Sequence, residues 1–275
     1  MLPNIDLHIH TIYSDGTWTP REVVSRAKKL NLAAISITDH DSVAGLEEAI
    51  ARGKKLGIEV VPGIEMSTDV GEDEIHVLGY YLNWKEKEFL AQLKKFQGAR
   101  AERNRKLIKK LKELEMEINH GELKGLSGRG VISRLHIARL MVRKEYVSSI
   151  GNAFERWLNP GKPAYVKKMN VSPFQIIELI LKTGGVPVFA HPFLSKRDDL
   201  IPHLVKAGLK GIEVYHSAHD SRVTQYYQKV AQKYHLLITG GSDCHGEAKD
   251  RVLMGKVKVP VSVLRVLKKE IRKES

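Results

Sequence analysis

The 275-residue sequence contains one cysteine and no long apolar run, and each shortage excludes a class of protein. A lone Cys244 cannot form an intramolecular disulfide, so nothing indicates an oxidising compartment. No segment approaches the ~18 apolar residues of a membrane-spanning helix, and the N-terminus lacks the basic and apolar regions of a secretion signal. We therefore expect a cytoplasmic protein with no membrane association.

The sequence also lacks a glycine-rich dinucleotide-binding loop after its first apolar run. Short apolar runs alternate instead with helical patterns, which is typical of a mainly parallel sheet covered by helices. Seven such runs favour an α/β barrel over an open dinucleotide-binding sheet. The predicted strands are 4–9, 33–38, 59–64, 75–82, 186–190, 211–215 and 236–239, and the predicted helices among them are 20–29, 42–56, 173–182, 200–207 and 221–234.

Basic residues are concentrated in one segment. From Lys85 to Glu145 there are 17 Lys and Arg against 8 Glu, a net of +9 out of the +13 of the whole chain. Residues 86–118 are rich in helix formers with apolar side chains at helical spacing, which predicts one or two long amphipathic helices. Shorter helices are predicted at 131–142 and 145–157. We therefore expect a barrel built from residues 1–82 and 164–275, with a basic helical insertion at 83–163.

Histidines and acids stand where the predicted strands end. Because the C-terminal ends of parallel barrel strands converge on one face, side chains scattered along the sequence should meet in one pocket. Residues spaced i, i+2 on a strand point to the same side, so His8 and His10 can act together. The residues in this pattern are His8, His10, Asp15, His40, Glu65, His76, His191, His216, Asp243 and His245.

Imidazole nitrogens and carboxylate oxygens are ligands of zinc, manganese and iron, whereas the scarcity of thiols argues against an iron–sulfur cluster or a structural zinc site. Leaving His216 aside, nine candidates are too many for one tetrahedral ion and suffice for two or three if carboxylates bridge. Adjacent ions can clamp a phosphate and convert a bridging water into hydroxide near neutral pH. The pattern therefore predicts hydrolysis of a phosphate ester by a metal-bridging hydroxide.

Some of these residues have a simpler interpretation. A single histidine near a strand end is more often packed or hydrogen-bonded than metal-bound, but six histidines with three acids make that explanation improbable for the set. Asp39 and Asp41 are weaker candidates: one of them is expected to orient a ligand histidine or to cap the helix near Ser42, and capping is favoured for Asp41. Cys244 should face the core. The histidines expected on the surface are His120, His203 and His235.

Six ordered segments resemble the polymerase and histidinol phosphatase (PHP) family of metal-dependent phosphoesterases. They are DLHIHTIYSDGTWTP, ITDHD, GIEMS, IHVLGYYL, AHP and GSDCH, within residues 4–82 and 164–260. The resemblance implies a distorted (β/α)7 barrel of mainly parallel strands with a trinuclear metal centre. It also implies nine metal ligands, all present in this sequence: His8, His10, Asp15, His40, Glu65, His76, His191, Asp243 and His245.

Within the family, the nearest resemblance is to stand-alone proteins with a helical insertion after the fourth strand. These include 3′,5′-nucleoside bisphosphate phosphatases and a 5′–3′ exoribonuclease. Arg134, His136 and Lys162 match segments that line the substrate side in that subfamily, so they are candidates for substrate binding. A basic insertion beside a metal site would attract substrate phosphates, although a solvated helix face is the preferred interpretation of most residues in 85–112.

Two further histidines are candidates beside the metal ligands. His216 ends a predicted strand and is expected to protonate the leaving alkoxide or to bind phosphate, while His219 is a candidate substrate-binding residue one loop further out. A structural role for both is the alternative. The sequence shows no run of basic residues interleaved with aromatics that would form a stacking platform for nucleic acid.

The resulting expectation is a phosphoesterase with two or three divalent ions, manganese being favoured over zinc, iron or magnesium. Its substrate would be a nucleoside 3′,5′-bisphosphate or the 5′-phosphorylated end of a short RNA, with one phosphate held by the basic insertion. No obligatory protein partner is expected. Two alternatives are a histidinol-phosphate phosphatase and a non-catalytic nucleotide- or RNA-binding module stabilised by metals.

Overall fold

The computed structural model describes residues 3–128, 130–167, 171–249 and 251–274. Within this part of the chain, one sheet of eight strands forms the centre of the protein. The strands are β1 (Asn4–Ile9), β2 (Ala34–Ile37), β3 (Glu59–Val70), β4 (Asp73–Tyr80), β5 (Val186–Phe189), β6 (Gly211–His216), β7 (Leu237–Gly241) and β8 (Val259–Pro260). Their order is β7-β6-β5-β4-β3-β2-β1-β8.

The sheet curves until its two ends meet. Strands β1, β2 and β3 run parallel to one another, as do β5, β6 and β7. Beyond β7 the chain returns to β1, where Ile9 forms a parallel bridge with Cys244 and the His10 amide donates to the Cys244 carbonyl over 2.9 Å. Gly241 makes this approach possible, because a Cβ there would lie 2.3 Å from the His8 amide nitrogen. The predicted barrel of mainly parallel strands is thus confirmed.

Strands β3 and β4 form an antiparallel hairpin that is longer than the sequence pattern indicates. Its turn includes Gly71, which has a φ of +66°, and its register pairs Ser67 with His76. Because β4 is antiparallel to its neighbours, a residue near the start of β4 lies beside the second half of β3. This arrangement explains how His76 reaches the same face as Glu65. The two-residue strand β8 is too short to leave a recognisable pattern in the sequence.

Helices cover the sheet. In chain order they are α1 (Pro20–Lys29), α2 (Leu46–Leu56), α3 (Lys87–Glu113), α4 (His120–Ser127), α5 (Arg134–Arg143), α6 (Ile150–Ala153), α7 (Pro173–Lys182), α8 (Pro192–Ser195), α9 (Ile201–Lys206), α10 (Ser221–Lys233) and α11 (Val261–Glu274). Helix α1 begins with a capping box in which Thr19 and Glu22 satisfy each other's backbone amides. None of the helices in the described residues is long and apolar enough to cross a bilayer.

The prediction that Asp41 caps α2 is wrong. Gly45 occupies the N-cap position, and α2 begins four residues later than expected. Asp41 has a φ of +50°, and its carboxylate accepts hydrogen bonds from the Ser67 amide and from the Arg100 guanidinium. The loop after β2 is therefore tied to β3 and α3 instead of initiating its own helix.

The insertion has its own apolar core. The first half of α3 packs against the main core through Phe89 and Leu93, whereas Leu107 and Leu111 in its second half belong to a separate cluster with α4, α5 and α6. The helix expected at 145–157 is instead the short α6 followed by a π-helical turn, Phe154–Leu158. The separate cluster supports the proposed domain division, whose boundaries at residues 83 and 164 stay a prediction.

Candidate metal centre

Five of the predicted ligand histidines surround one buried carboxylate, that of Glu65. Glu65 Oε1 lies 2.8 Å from His76 Nδ1 and 2.8 Å from His191 Nε2. On the other side, Glu65 Oε2 lies 3.3 Å from His8 Nε2, 3.2 Å from His10 Nε2 and 3.1 Å from His40 Nδ1. Glu65 therefore stands between two groups of imidazoles, with one oxygen facing each group.

Asp243 and Asp15 complete the arrangement. Asp243 Oδ1 lies 3.1 Å from His10 Nε2, and Asp15 Oδ1 lies 3.3 Å from His245 Nε2. Three overlapping groups of the predicted ligands have donor atoms within 4.8 Å of one another. They are His8, His10, Glu65 and Asp243; His10, Asp15, His40 and His245; and His40, Glu65 and His76.

The donor atoms fit a set of divalent ions. Ligand bonds of about 2.0–2.2 Å place neighbouring donors about 3.0–3.5 Å apart around one ion, which matches most of these contacts. Several buried nitrogen and oxygen atoms that could bind an ion also lack any hydrogen-bond partner within the described residues. Leaving such an atom unsatisfied lowers the stability of the fold by about 1–3 kcal/mol. At this centre these atoms are His8 Nε2, His10 Nε2, Asp15 Oδ1, His40 Nδ1, Glu65 Oε2, His191 Nδ1 and His216 Nε2.

Charge at the centre also favours cations. Burial opposes ionisation of Glu65, but the surrounding histidines outweigh it and hold the pKa of Glu65 well below its usual range, and histidines do the same for the pKa of Asp15. For Asp243, burial is outweighed first by Lys249 and then by His245, which hold its pKa well below its usual range. Burial likewise disfavours protonated His10, yet Asp243 and Glu65 raise the pKa of His10 to about 9. The centre therefore keeps three carboxylates ionised at neutral pH.

Glu213 is a buried residue of the site that the sequence analysis missed. Its Oε1 lies 3.0 Å from His8 Nδ1, and its Oε2 accepts the His191 amide over 2.8 Å. Because a carboxylate only accepts hydrogen bonds, His8 donates from Nδ1 to Glu213, and its Nε2, which faces Glu65, is the atom that would bind an ion. An acid in the middle of the apolar run IEVY was the signal that could have revealed it.

Glu74 is a second missed residue, and it connects the centre to the insertion. Its Oε1 lies 3.0 Å from His76 Nε2, while its Oε2 pairs with the Arg134 guanidinium. Glu74 precedes His76 by two residues on β4, so both side chains project from the same side of the strand. One carboxylate thereby fixes a candidate ligand and an arginine of α5.

Asp39 acts on the centre indirectly. Its carboxylate accepts from the Thr11 amide and hydroxyl and from the Ser14 hydroxyl, each over 2.6 Å. Ser14 Oγ in turn lies 3.3 Å from His10 Nδ1. The expected orienting role of this acid is therefore exerted through Ser14 and the loop after β1.

The substrate-binding candidates on the insertion lie in different surroundings. Arg134 is the first residue of α5, and it lies over the Phe154 ring at 5.4 Å. His136 is buried, which lowers its pKa to about 4, and its Nδ1 accepts the Ser133 amide at the start of α5. Lys162 is exposed in the turn after Asn159, outside the cavity beside the metal centre.

His216 and His219 lie behind the centre on the β6 side. His216 Nδ1 accepts the Ala218 amide over 3.0 Å, and its Nε2 lies 3.8 Å from Asp243 Oδ2. His219 stacks on Tyr227 at 5.4 Å and does not line the cavity. Burial lowers the pKa of His219. The structure thus directs His216 toward the centre and places His219 one layer further away.

A cavity of about 440 Å³ opens beside the predicted ligands. Asp15, His40, His76 and His245 line it. The insertion contributes the apolar residues Leu135, Ile150 and Phe154, and the cations that line the cavity are Arg100, Arg134 and Lys249. The cavity therefore combines a metal-binding side, an apolar wall and positive charge.

A barrel whose strand ends gather imidazoles and carboxylates around such a cavity is the arrangement of a metal-dependent hydrolase. The model of the PHP domain family matches residues 6–159. The chain belongs to this family of phosphoesterases, and it is a metal-dependent phosphoric ester hydrolase.

Known proteins resemble nearly the whole chain. The sequence is 33% identical to the 3′,5′-nucleoside bisphosphate phosphatase of Chromobacterium violaceum over 252 residues, which are 89% of this chain and 88% of that protein. It is 31% identical to a 5′-3′ exoribonuclease of Haemophilus influenzae, with coverage of 89% and 91%. A solved structure of a metal-dependent phosphoesterase from Bifidobacterium adolescentis superposes with a TM-score of 0.88 at 27% identity and covers 96% of this chain and 95% of that one.

We expect Glu213→Gln to weaken metal binding and lower activity by about 10- to 100-fold, as is usual when a residue that orients a metal ligand is lost. The amide can accept from His8 with its oxygen, but its NH2 group would then face the His191 amide, so one donor stays unsatisfied. Metal affinity, measured by competition with a chromogenic chelator, tests this positioning role. Unchanged metal affinity together with a lower melting temperature would show that Glu213 is only structural.

Proposed function

We propose that the protein removes the phosphate from a phosphorylated nucleotide. The favoured substrates are the 3′-phosphate of nucleoside 3′,5′-bisphosphates and the 5′-phosphorylated end of short RNA. The observation that carries this proposal is the set of apolar residues Leu135, Ile150 and Phe154, which line the same cavity as the candidate ligands and Arg134. A nucleotide offers a base for the apolar wall, a scissile phosphate for the centre and a second phosphate for the arginine.

The centre would hold two or three divalent ions, with manganese favoured. When bound, such ions supply a water of lowered pKa and positive charge that stabilises the phosphate and the leaving oxygen. Glu65 would be shared between ions, because its two oxygens face different histidines. The nine residues proposed as ligands are His8, His10, Asp15, His40, Glu65, His76, His191, Asp243 and His245.

Arg134 is the proposed residue for the second phosphate. A guanidinium can bind a phosphate through two parallel hydrogen bonds, and Glu74 holds this one at the edge of the cavity. Arg100 is less available because it is already bound to Asp41 and Ser67. For His136, Lys162 and His219, contact with substrate stays a prediction.

His216 is the proposed acid for the leaving oxygen. Its Nδ1 accepts the Ala218 amide, so the neutral ring carries its proton on Nε2, the atom that faces Asp243. A donor on the side of Asp243 can reach an oxygen that departs from a phosphate bound at the centre. We also propose that the protein acts in the cytoplasm, in keeping with its single, buried cysteine.

Histidinol-phosphate phosphatase is the less favoured alternative, since a small monophosphate would leave Arg134 without a substrate phosphate and most of the apolar wall without a partner. A phosphate-release assay with Mn²⁺ compares adenosine 3′,5′-bisphosphate, 5′-phosphorylated short RNA and histidinol phosphate. We expect kcat/KM for a nucleotide substrate to exceed that for histidinol phosphate by at least about 100-fold, the effect of two added contacts. Preferred turnover of histidinol phosphate would contradict the proposal.

A Phe154→Ala variant in the same assay tests whether this ring binds the base of the nucleotide. Removing the ring should raise KM for the nucleotide and change that for histidinol phosphate little, because stacking of a base on an aromatic side chain contributes about 1–3 kcal/mol. Phe174→Ala, at an exposed phenylalanine of α7 away from the cavity, is the matched control. An equal increase in KM for both substrates would contradict the assignment of this wall to the base.

A further inference from the structure

A second groove adjoins the metal cavity. It is lined by Arg139, Val142 and Arg143 of α5, by Ile150, and by Glu247, Ala248, Lys249 and Val252 of the segment that follows β7. Ile150 and Lys249 line both the groove and the metal cavity, so the two spaces adjoin. Lys249 is paired with Asp243, and the two arginines against Glu247 give this groove a net positive charge.

The arginines of the groove are available to an anion. Arg139 is about half buried and makes no hydrogen bond or ion pair within the described residues. It lies near enough to the centre to experience the charge of Asp15. Arg143 is exposed and follows Arg139 by four residues, so the two side chains project from the same face of α5.

Helix α5 presents cations to both spaces. Arg134 lies at the metal cavity, whereas Arg139, five residues later, is about 140° further around the helix axis and lines the groove. Arg143 lies one turn beyond Arg139, about 6 Å along the axis. Two cations one turn apart, in a groove next to the metal cavity, can contact the backbone of a nucleic acid.

We propose that this groove binds the next phosphodiester of a short single-stranded oligonucleotide, beyond the scissile phosphate and the second phosphate assigned to Arg134. Arg139 and Arg143 contact its backbone, and the apolar side chains of Val142 and Val252 pack against the adjoining nucleoside. The assignment rests on the proposed function, because it extends the substrate of the same site. A mononucleotide ends within the metal cavity and leaves the groove empty, so only the oligonucleotide would contact Arg139.

The test compares two substrates in one double variant, Arg139→Ala/Arg143→Ala. For a 5′-phosphorylated trinucleotide RNA we expect kcat/KM to fall by at least about tenfold through KM, the effect of losing charged contacts to a phosphate. For adenosine 3′,5′-bisphosphate we expect a change of less than about twofold, since no contact is lost. The matched control is Lys106→Ala/Lys109→Ala, which removes the same charge from exposed positions of α3 and should affect neither substrate.

Binding provides a second readout that does not depend on turnover. Fluorescence anisotropy with a labelled trinucleotide, made hydrolysis-resistant by phosphorothioate linkages, gives the affinity as a function of salt. The slope of log affinity against log salt should fall by about one for each arginine removed. If the wild-type protein releases no phosphate from either substrate, the proposed function fails, and anisotropy alone still tests the groove.

Three outcomes would overturn the assignment of the groove. An equal loss of kcat/KM for both substrates would place Arg139 in the main cavity or in the fold. No loss for the trinucleotide, with an unchanged salt slope, would show that the groove binds no backbone. An equal loss in the Lys106→Ala/Lys109→Ala control would show that the effect is overall charge and not contact.

Discussion

Glu65→Gln should reduce phosphate release by at least about 1,000-fold, because a shared metal ligand matters more than the outer partners whose loss costs about 10- to 100-fold. Glu65 is fully buried, and its two oxygens lie within 3.3 Å of five histidine nitrogens. A glutamine has nearly the same shape, but it carries no negative charge and only one of its two terminal atoms can bind an ion. The substitution therefore removes the bridge while leaving the packing largely unchanged.

Activity and metal content should be measured together for this variant. We expect fewer ions per chain by elemental analysis along with the loss of phosphate release. Glu113→Gln, at an exposed glutamate of α3, removes the same charge and should retain full activity and metal content. A Glu65→Gln protein that keeps activity within tenfold of the wild type would exclude a shared carboxylate at the centre.

Arg100→Met should lower the free energy of unfolding by about 3–5 kcal/mol, the usual cost of removing one partner from a buried ion pair. Arg100 extends from α3 to the Asp41 carboxylate and also donates to Ser67 Oγ over 2.7 Å. Methionine preserves much of the side-chain volume but leaves the Asp41 carboxylate buried without a counter-charge. Because Asp41 follows His40 directly, the same change should displace a candidate metal ligand.

Urea denaturation of the metal-free protein measures this effect separately from metal binding. The double variant Arg100→Met/Asp41→Asn should recover part of the lost stability, since the unpaired charge is then absent. Arg105→Met, at an exposed arginine paired with Glu102, should change stability by less than about 1 kcal/mol. Equal effects at Arg100 and Arg105 would show that the buried pair does not hold the insertion to the loop after β2.

The grouping of the candidate ligands in one place could be predicted because their chemistry is carried by short motifs at strand ends. His8 and His10 share one strand, and Asp243 and His245 share one loop, so each pair is recognisable without knowledge of the fold. Parallel barrel strands then bring these motifs to one face whatever the details of packing. The class of the fold followed from the same alternation of short strands and helices.

Other features depend on tertiary contacts that leave no local pattern. The sequence places Asp41 before a helical stretch, which predicts a helix cap. Arg100 is distant in the sequence but close in space, and it donates a hydrogen bond to the Asp41 carboxylate. The roles of Glu213 and Glu74 likewise depend on which histidine each carboxylate meets. Phe154 is one aromatic residue in a helical segment, and it lines the cavity through the fold of the insertion.

Manganese-edge anomalous scattering from crystals of the wild-type protein, grown with Mn²⁺ and shown to release phosphate, tests the central claim most directly. We predict at least two anomalous peaks per chain beside the Glu65 carboxylate, surrounded by His8, His10, His40, His76, His191, Asp15, Asp243 and His245. An active crystal with no peak at this carboxylate would contradict the account.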